Sequence, residues 1–121
     1  RLDILSRAGL RKQIVDEIKH LFSPMAEMTG TLWEHKDQRA SCNHGFASHI
    51  VHVLYRDVLG CSIDADKKAL RLRLSGLPVD WCYGVLPVRC GHVAVNWHGA
   101  DGDVKYAVSG LPKGFDFGTL T

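Results

Sequence analysis

Ala69-Leu70-Arg71-Leu72-Arg73-Leu74 is the stretch on which the fold turns. Its leucines recur at every second position and its arginines fill the positions between. An extended chain puts the two sets on opposite faces, the period-two pattern of a half-buried strand. The pattern recurs downstream. Val93, Val95 and Trp97 share a face against Ala94 and Asn96, and Val104, Tyr106 and Val108 alternate with Lys105 and Ala107. Ala100-Asp101-Gly102-Asp103 reads as the turn between those two strands. Asp80–Val85 is a further expected strand, Leu111-Pro112-Lys113-Gly114 another turn, and Phe115–Leu120 a last short strand. Glycine use rises from 4 in residues 1–60 to 8 in residues 61–121, as turn-rich structure requires. Residues 61–121 are therefore expected to hold four or five antiparallel strands.

Upstream of Gly60 the period is that of a helix. Leu10, Ile14, Ile18 and Leu21 form one stripe, with Arg11, Lys12, Asp16, Glu17 and Lys19 on the other side. A helix is expected over residues 2–22, weakened at Gly9, so that residues 2–8 could form a separate helix end. Ser23-Pro24 is expected to stop it. Residues 25–42 lack sustained periodicity. A second helix is expected over residues 44–59, with Ser41 or Asn43 as N-cap and an apolar stripe of Ala47, Ile50, Val51, Leu54 and Val58. Gly60 stands where a left-handed residue ends a helix. The expected class is α+β.

Composition narrows the function classes. The chain has 121 residues, 45% of them hydrophobic and 23% charged, which excludes wholesale disorder. Its apolar runs of four or five residues are far below the roughly 20 that span a bilayer, so no membrane partner is expected. Lys plus Arg is 15 and Asp plus Glu 13, and the net +2 is spread without a basic stripe. Nucleic acid is not an expected partner. Cys42, Cys61, Cys82 and Cys90 form no C-x-x-C pair, and four cysteines are too sparse for a disulfide scaffold. Mostly buried thiols are expected, and the spacing leaves a Cys82–Cys90 bridge open. Cys42, His44, His49 and His52 crowd into 11 residues. Cys42 and His44 fall at a helix start and point away from the His49–His52 face, so no metal is expected. Nothing calls for a cofactor.

Two stretches carry groups suited to chemistry. Gly30-Thr31-Leu32-Trp33-Glu34-His35 sets a carboxylate beside an indole, a pairing suited to sugars: the ring packs on the apolar pyranose face and the acid handles protons. Ser41-Cys42-Asn43-His44-Gly45-Phe46-Ala47-Ser48 places Asn43 and His44 where backbone N–H groups of a helix start favour anionic or hydroxyl-rich ligands. By themselves these residues also fit a core indole, a solvated acid, a helix cap and a surface histidine.

Taken together, the two stretches resemble a motif pair of the family 78 glycoside hydrolases, the bacterial α-L-rhamnosidases. In that family a Thr-x-Trp-Glu segment closes the active site of an (α/α)6 barrel, and a Ser-x-Asn-His segment opens its last helix. A C-terminal β-sandwich follows. Gly91-His92-Val93-Ala94-Val95-Asn96-Trp97 is similar to the family's Gly-x-x-x-Val-x-Trp strand, so the resemblance covers nearly the whole chain. It implies that residues 1–60 are the last helices of the catalytic six-hairpin barrel and residues 61–121 an antiparallel β-sandwich. It implies Glu34 as the general base, His44 as the contact to the sugar nearest the cleaved bond, and Trp33 and Asn43 as residues that shape the pocket. Phe46 stands where aromatic residues are common in the family.

The implied reaction is hydrolysis of a terminal α-L-rhamnosyl bond with inversion. Such a reaction needs a second carboxyl group as acid, about 6.5–9.5 Å away. Glu27, Asp37 and Asp57 do not match the family's acid motif. The chain is thus expected to be a C-terminal fragment with half an active site: inactive by itself, prone to self-association through bare apolar stripes, and cut at Arg1. The rhamnose-containing substrate belongs to the longer parent, and its compartment stays open. A non-catalytic carbohydrate-binding or structural β-sandwich module is the alternative.

Overall fold

The leucine alternation around Leu72 forms the strand it predicts. A computed structural model describes residues 1–89, 91–100 and 102–120, and of Phe46 the backbone alone. The chain is mixed α+β and divides into two units, Arg1–Val53 and the residues from Leu54 onward. Among the described residues no helix is long and apolar enough to cross a membrane.

The second unit opens with a π-helical turn, Leu54–Val58, ended by Gly60 at φ 77°. The strands are β1 (Cys61–Asp64), β2 (Ala69–Arg73), β3 (Trp81–Val88), β4 (Gly91–Ala100), β5 (Asp103–Ser109) and β6 (Asp116–Leu120). They form two three-stranded sheets, in the orders β1-β2-β6 and β3-β4-β5. Leu70 and Leu72 from one sheet and Val93, Val95 and Trp97 from the other are completely or almost completely buried in a single core, joined by Leu59, Cys61, Leu77 and Leu86. The alternation read from the sequence is the inward set of β2 and β4; on β5, Val104 and Val108 pack against this core while Tyr106 is 45% exposed.

Three features differ from the expectation. β1 was not predicted, because Cys61-Ser62-Ile63-Asp64 is short and carries one β-branched aliphatic residue. It pairs antiparallel with β2. β3 runs on to Val88 through Pro87, which is tolerated because β3 is an edge strand of its sheet. β6 pairs parallel with β2, so the strands are not all antiparallel. A parallel partner needs a crossover, and the whole β3-β4-β5 sheet lies between β2 and β6 in the chain. Arg71 Nη2 reaches Asp116 Oδ2 at 2.5 Å across that parallel pair. The β4–β5 hairpin closes at the expected place, with Ala100 opposite Asp103. Asp101 of that turn, and Cys90 of the suggested Cys82–Cys90 bridge, lie outside the described residues.

The π-helical turn is tied to the β3-β4-β5 sheet within this unit. The Trp97 indole N–H donates to the Leu59 carbonyl at 2.9 Å, and the Tyr55 hydroxyl donates to the Val85 carbonyl at 2.7 Å. Gly84 permits the approach, since a Cβ there would stand 2.7 Å from Leu59 Cδ2.

The first unit is helical. It contains α1 (Leu2–Arg7), α2 (Arg11–Glu17), a π-helical turn (Ile18–Phe22), α3 (Ser23–Thr29), a 3-10 turn (Gly45–Ser48) and α4 (His49–Val53). Gly9, at φ 71°, separates α1 from α2, so the expected single helix is divided there. Ser23-Pro24 does not stop the helix. Ser23 keeps helical angles, and Pro24 sits in the first turn of α3, where its missing N–H costs little. The widened turn ahead of it is what the sequence pattern does not reveal. Ile14, Ile50 and Val53 are the buried centre, with Leu2, Leu5, Ile18, Phe22 and Leu32 against them. Val53 takes the place expected of Val51, which is 49% exposed. The shorter helical pieces rotate the buried stripe from the one an unbroken helix would give.

Candidate functional site

α3 ends at Gly30, whose left-handed φ of 70° turns the chain into the irregular segment that carries both chemical stretches. Two backbone hydrogen bonds fold that segment back on itself. The Glu34 N–H donates to the Ser41 carbonyl and the His44 N–H to the Leu32 carbonyl, each at 2.9 Å. The arms are fixed further by a hydroxyl relay that the sequence reading missed. The Trp33 indole N–H donates to Thr29 Oγ1 at 2.8 Å, and Thr29 Oγ1 lies 2.8 Å from Thr31 Oγ1. The Thr31 hydroxyl donates to the Cys42 carbonyl and the Thr29 hydroxyl to the Met25 carbonyl. Each threonine has one proton, so the relay shares two protons among three contacts. It ties α3, the Trp33 arm and the Cys42 arm together.

The result is a cavity of about 500 Å³. Leu21, Phe22, Met25 and Ala47 form its apolar wall, and Trp33, itself 6% exposed, adds an indole. Glu34, His35, Lys36 and His44 supply its polar atoms. Glu34 Oε2 stands 3.9 Å from His44 Nδ1, an ion-pair distance rather than a hydrogen bond. Both side chains are partly open to solvent, at 42% and 27% exposure. Three of the four predicted site residues, Trp33, Glu34 and His44, therefore line one cavity. Asn43 is not among its lining residues. It is exposed, and its backbone N–H donates to Ser41 Oγ at 3.4 Å. The helical segment begins with the 3-10 turn at Gly45, where the Ala47 N–H donates to the His44 carbonyl, so neither Asn43 nor Ser41 takes the expected N-cap position of an α-helix.

Chemically this is an amphipathic pocket: a carboxylate and an imidazole beside an aromatic and aliphatic wall. It can hold a small polar molecule with one apolar face, accept a proton at Glu34 and hydrogen-bond at His44. Among the described residues Glu34 is the one carboxylate of the lining. Asp37 is held away by Arg39, whose Nε donates to Asp37 Oδ2 at 2.7 Å. That guanidinium keeps the Asp37 carboxyl below the usual carboxylate range. Glu27 is exposed on α3. Asp57 is buried in the second unit and accepts from Arg56 Nε at 2.8 Å.

His49 and His52 have ring centroids 6.0 Å apart, and His49 Nε2 lies 3.7 Å from Asp3 Oδ2. Among the described residues no three His, Cys, Asp or Glu side chains are grouped to hold a metal ion. Compared with known proteins, the chain matches no family model, no curated protein and no solved structure.

Proposed function

We propose that the chain is the C-terminal part of a glycoside hydrolase resembling the inverting α-L-rhamnosidases. In this reading residues 1–60 complete an (α/α)6 barrel and residues 61–121 form the β-sandwich that follows it. The observation that carries the reading is the shared cavity of Trp33, Glu34 and His44, with Glu34 Oε2 3.9 Å from His44 Nδ1. Residues named by the motif resemblance on two separate stretches meet there.

Glu34 takes a proton from water, and the water oxygen bonds to the anomeric carbon on the face opposite the leaving group. The glycosidic oxygen departs with the bond's electron pair and receives its proton from an acid. His44 hydrogen-bonds a sugar hydroxyl, and the Trp33 side of the pocket meets the apolar ring face. The acid belongs to an earlier part of the parent, since Glu34 is the one carboxylate lining the cavity among the described residues. The first unit also leaves Ile4, Leu10, Met28 and Val51 between 41% and 72% exposed. Such a helical surface suits burial against further barrel helices or against another copy. On the same grounds the isolated chain has no hydrolase activity and self-associates.

The test is Glu34→Gln in the full-length parent. General base catalysis is worth about 10²–10⁴-fold, so kcat on an aryl α-L-rhamnoside falls by that order while KM changes little. Near-normal turnover removes Glu34 from the role.

A further inference from the structure

The outer face of the β3-β4-β5 sheet has a composition that fold stability does not explain. Trp81 and Tyr83 are 69% and 60% exposed, whereas Trp33 and Trp97 are 6% and 1% exposed. Two residues apart on one strand, their side chains leave the same face about 6.8 Å apart. Register fixes their neighbours. Trp81 stands opposite His98, which stands opposite Lys105, and Tyr83 stands opposite Asn96, which stands opposite Ala107. His98, Asn96, Lys105 and Ala107 are all exposed. The inward positions of the same strands hold Leu86, Val95 and Trp97 in the core, so the aromatic pair is not part of that core.

We propose that this face is a binding site for neutral carbohydrate, with Trp81 and Tyr83 as the stacking platform and Asn96 and His98 as hydrogen-bonding groups beside them. Aromatic faces accept the apolar C–H side of a pyranose, while amide and imidazole groups exchange hydrogen bonds with its hydroxyls. Charge argues against nucleic acid. Lys105 is the fixed cation of these rows and Asp103 follows one row on, whereas phosphate-backbone binding needs several unopposed cations. Size argues against a protein partner. Three strands about 4.8 Å apart and eight residues at about 3.4 Å each give a face of roughly 350–400 Å². A standard protein interface takes about 800 Å² from each side. Ala107 leaves the Tyr83 row low on one side, which suits a chain one sugar wide. The proposal stands on this sheet alone and is independent of any chemistry at Glu34.

Trp81 makes the test direct, because it is the exposed one of the three tryptophans. The purified chain is titrated with cellohexaose, xylohexaose and a neutral rhamnan oligosaccharide, and its emission and iodide quenching are followed. Binding shifts emission to the blue and protects Trp81 from iodide. Trp81→Ala abolishes the response, and Tyr83→Ala weakens binding by about two- to tenfold through loss of one stacked ring. Near-UV circular dichroism checks that both variants keep their packed core. Full quenching retained with all three sugars at millimolar concentration overturns the proposal. So does sugar binding, read by calorimetry, that survives Trp81→Ala unchanged. Protection by single-stranded oligo(dT) but by no sugar assigns the face to nucleic acid. A dimer that Trp81→Ala converts to monomer in sedimentation assigns it to a second copy. Either outcome also overturns the proposal.

Discussion

Trp97→Phe is the substitution that most directly tests how the second unit is held together. The indole is 1% exposed and its N–H donates to the carbonyl of Leu59, a residue 2% exposed, at 2.9 Å. Leu59 follows a helical turn, so its carbonyl has no partner within the helix and needs one from elsewhere. Phenylalanine cannot donate. A buried carbonyl left without a partner costs about 1–3 kcal/mol. The smaller ring also leaves a void, worth about 1 kcal/mol more. The expected loss is therefore about 2–4 kcal/mol. At about 4–8 °C per kcal/mol for a unit of this size, the transition of the second unit falls by at least about 8 °C. Urea unfolding followed by circular dichroism measures the loss. Hydrogen exchange supplies an independent readout, because the Trp97 indole N–H should exchange orders of magnitude more slowly than that of exposed Trp81. A loss below about 1 kcal/mol, or equal exchange of the two indoles, would refute the capping argument.

Two further predictions concern the relay and the core thiol. Thr31→Val removes the hydroxyl that donates to the Cys42 carbonyl while keeping the side-chain shape. The Glu34 and His44 amides should lose about tenfold in exchange protection, equivalent to about 1.4 kcal/mol, and unchanged protection would remove the relay from a positioning role. Cys61 is 4% exposed, and burial pushes its thiol up from 9.0 to about 11. Folding therefore favours the neutral thiol. Its contribution to stability is full below pH 9 and is lost as pH rises from 9 through 11, where the unfolded chain gains from ionising. Wild-type stability measured against Cys61→Ala should diverge over that window, and parallel curves would contradict the burial argument.

The strands that were legible in the sequence are those whose inward residues are long, apolar and strictly alternate. Leu70 and Leu72, and Val93, Val95 and Trp97, announced their faces because each faces a core on one side and solvent on the other. β1 was not legible, since a four-residue strand offers too few alternations to separate from a turn. Its inward end is also a cysteine. The parallel pairing of β6 was hidden for a different reason. Alternation fixes which face a strand buries, but not its neighbour or direction. Those follow from the β3-β4-β5 sheet inserted between β2 and β6. In the first unit Gly9 was readable as a weak point, but the π-helical turn before Pro24 was not. A one-residue widening leaves the composition unchanged and rotates every side chain after it.

The site divides along the same line. Trp33, Glu34 and His44 are picked out by the two stretches that resemble a motif pair, since by themselves they also fit a core indole, a solvated acid and a surface histidine. Asn43 is indicated by its motif position and by the helix start expected beside it, and the chain instead enters through a 3-10 turn at Gly45. The groups that hold the cavity in shape, Thr29 and Thr31, were not legible, because a threonine's role depends on which carbonyl lies within 3 Å of it. The same is true of Asp37. By sequence it is a second carboxylate three residues from Glu34 that does not match the family's acid motif, and its partner is not readable there. In the structure it accepts from both the backbone and the guanidinium of Arg39, and its carboxyl stays ionised below the usual range. An inverting hydrolase needs an acid across the sugar from the base, and a carboxylate paired with Arg39 outside the cavity lining does not stand there. On the proposed reading, the proton for the leaving oxygen comes from a carboxyl outside this cavity lining. A parent protein that keeps full activity when each acidic residue outside these 121 is replaced in turn would refute that division of labour.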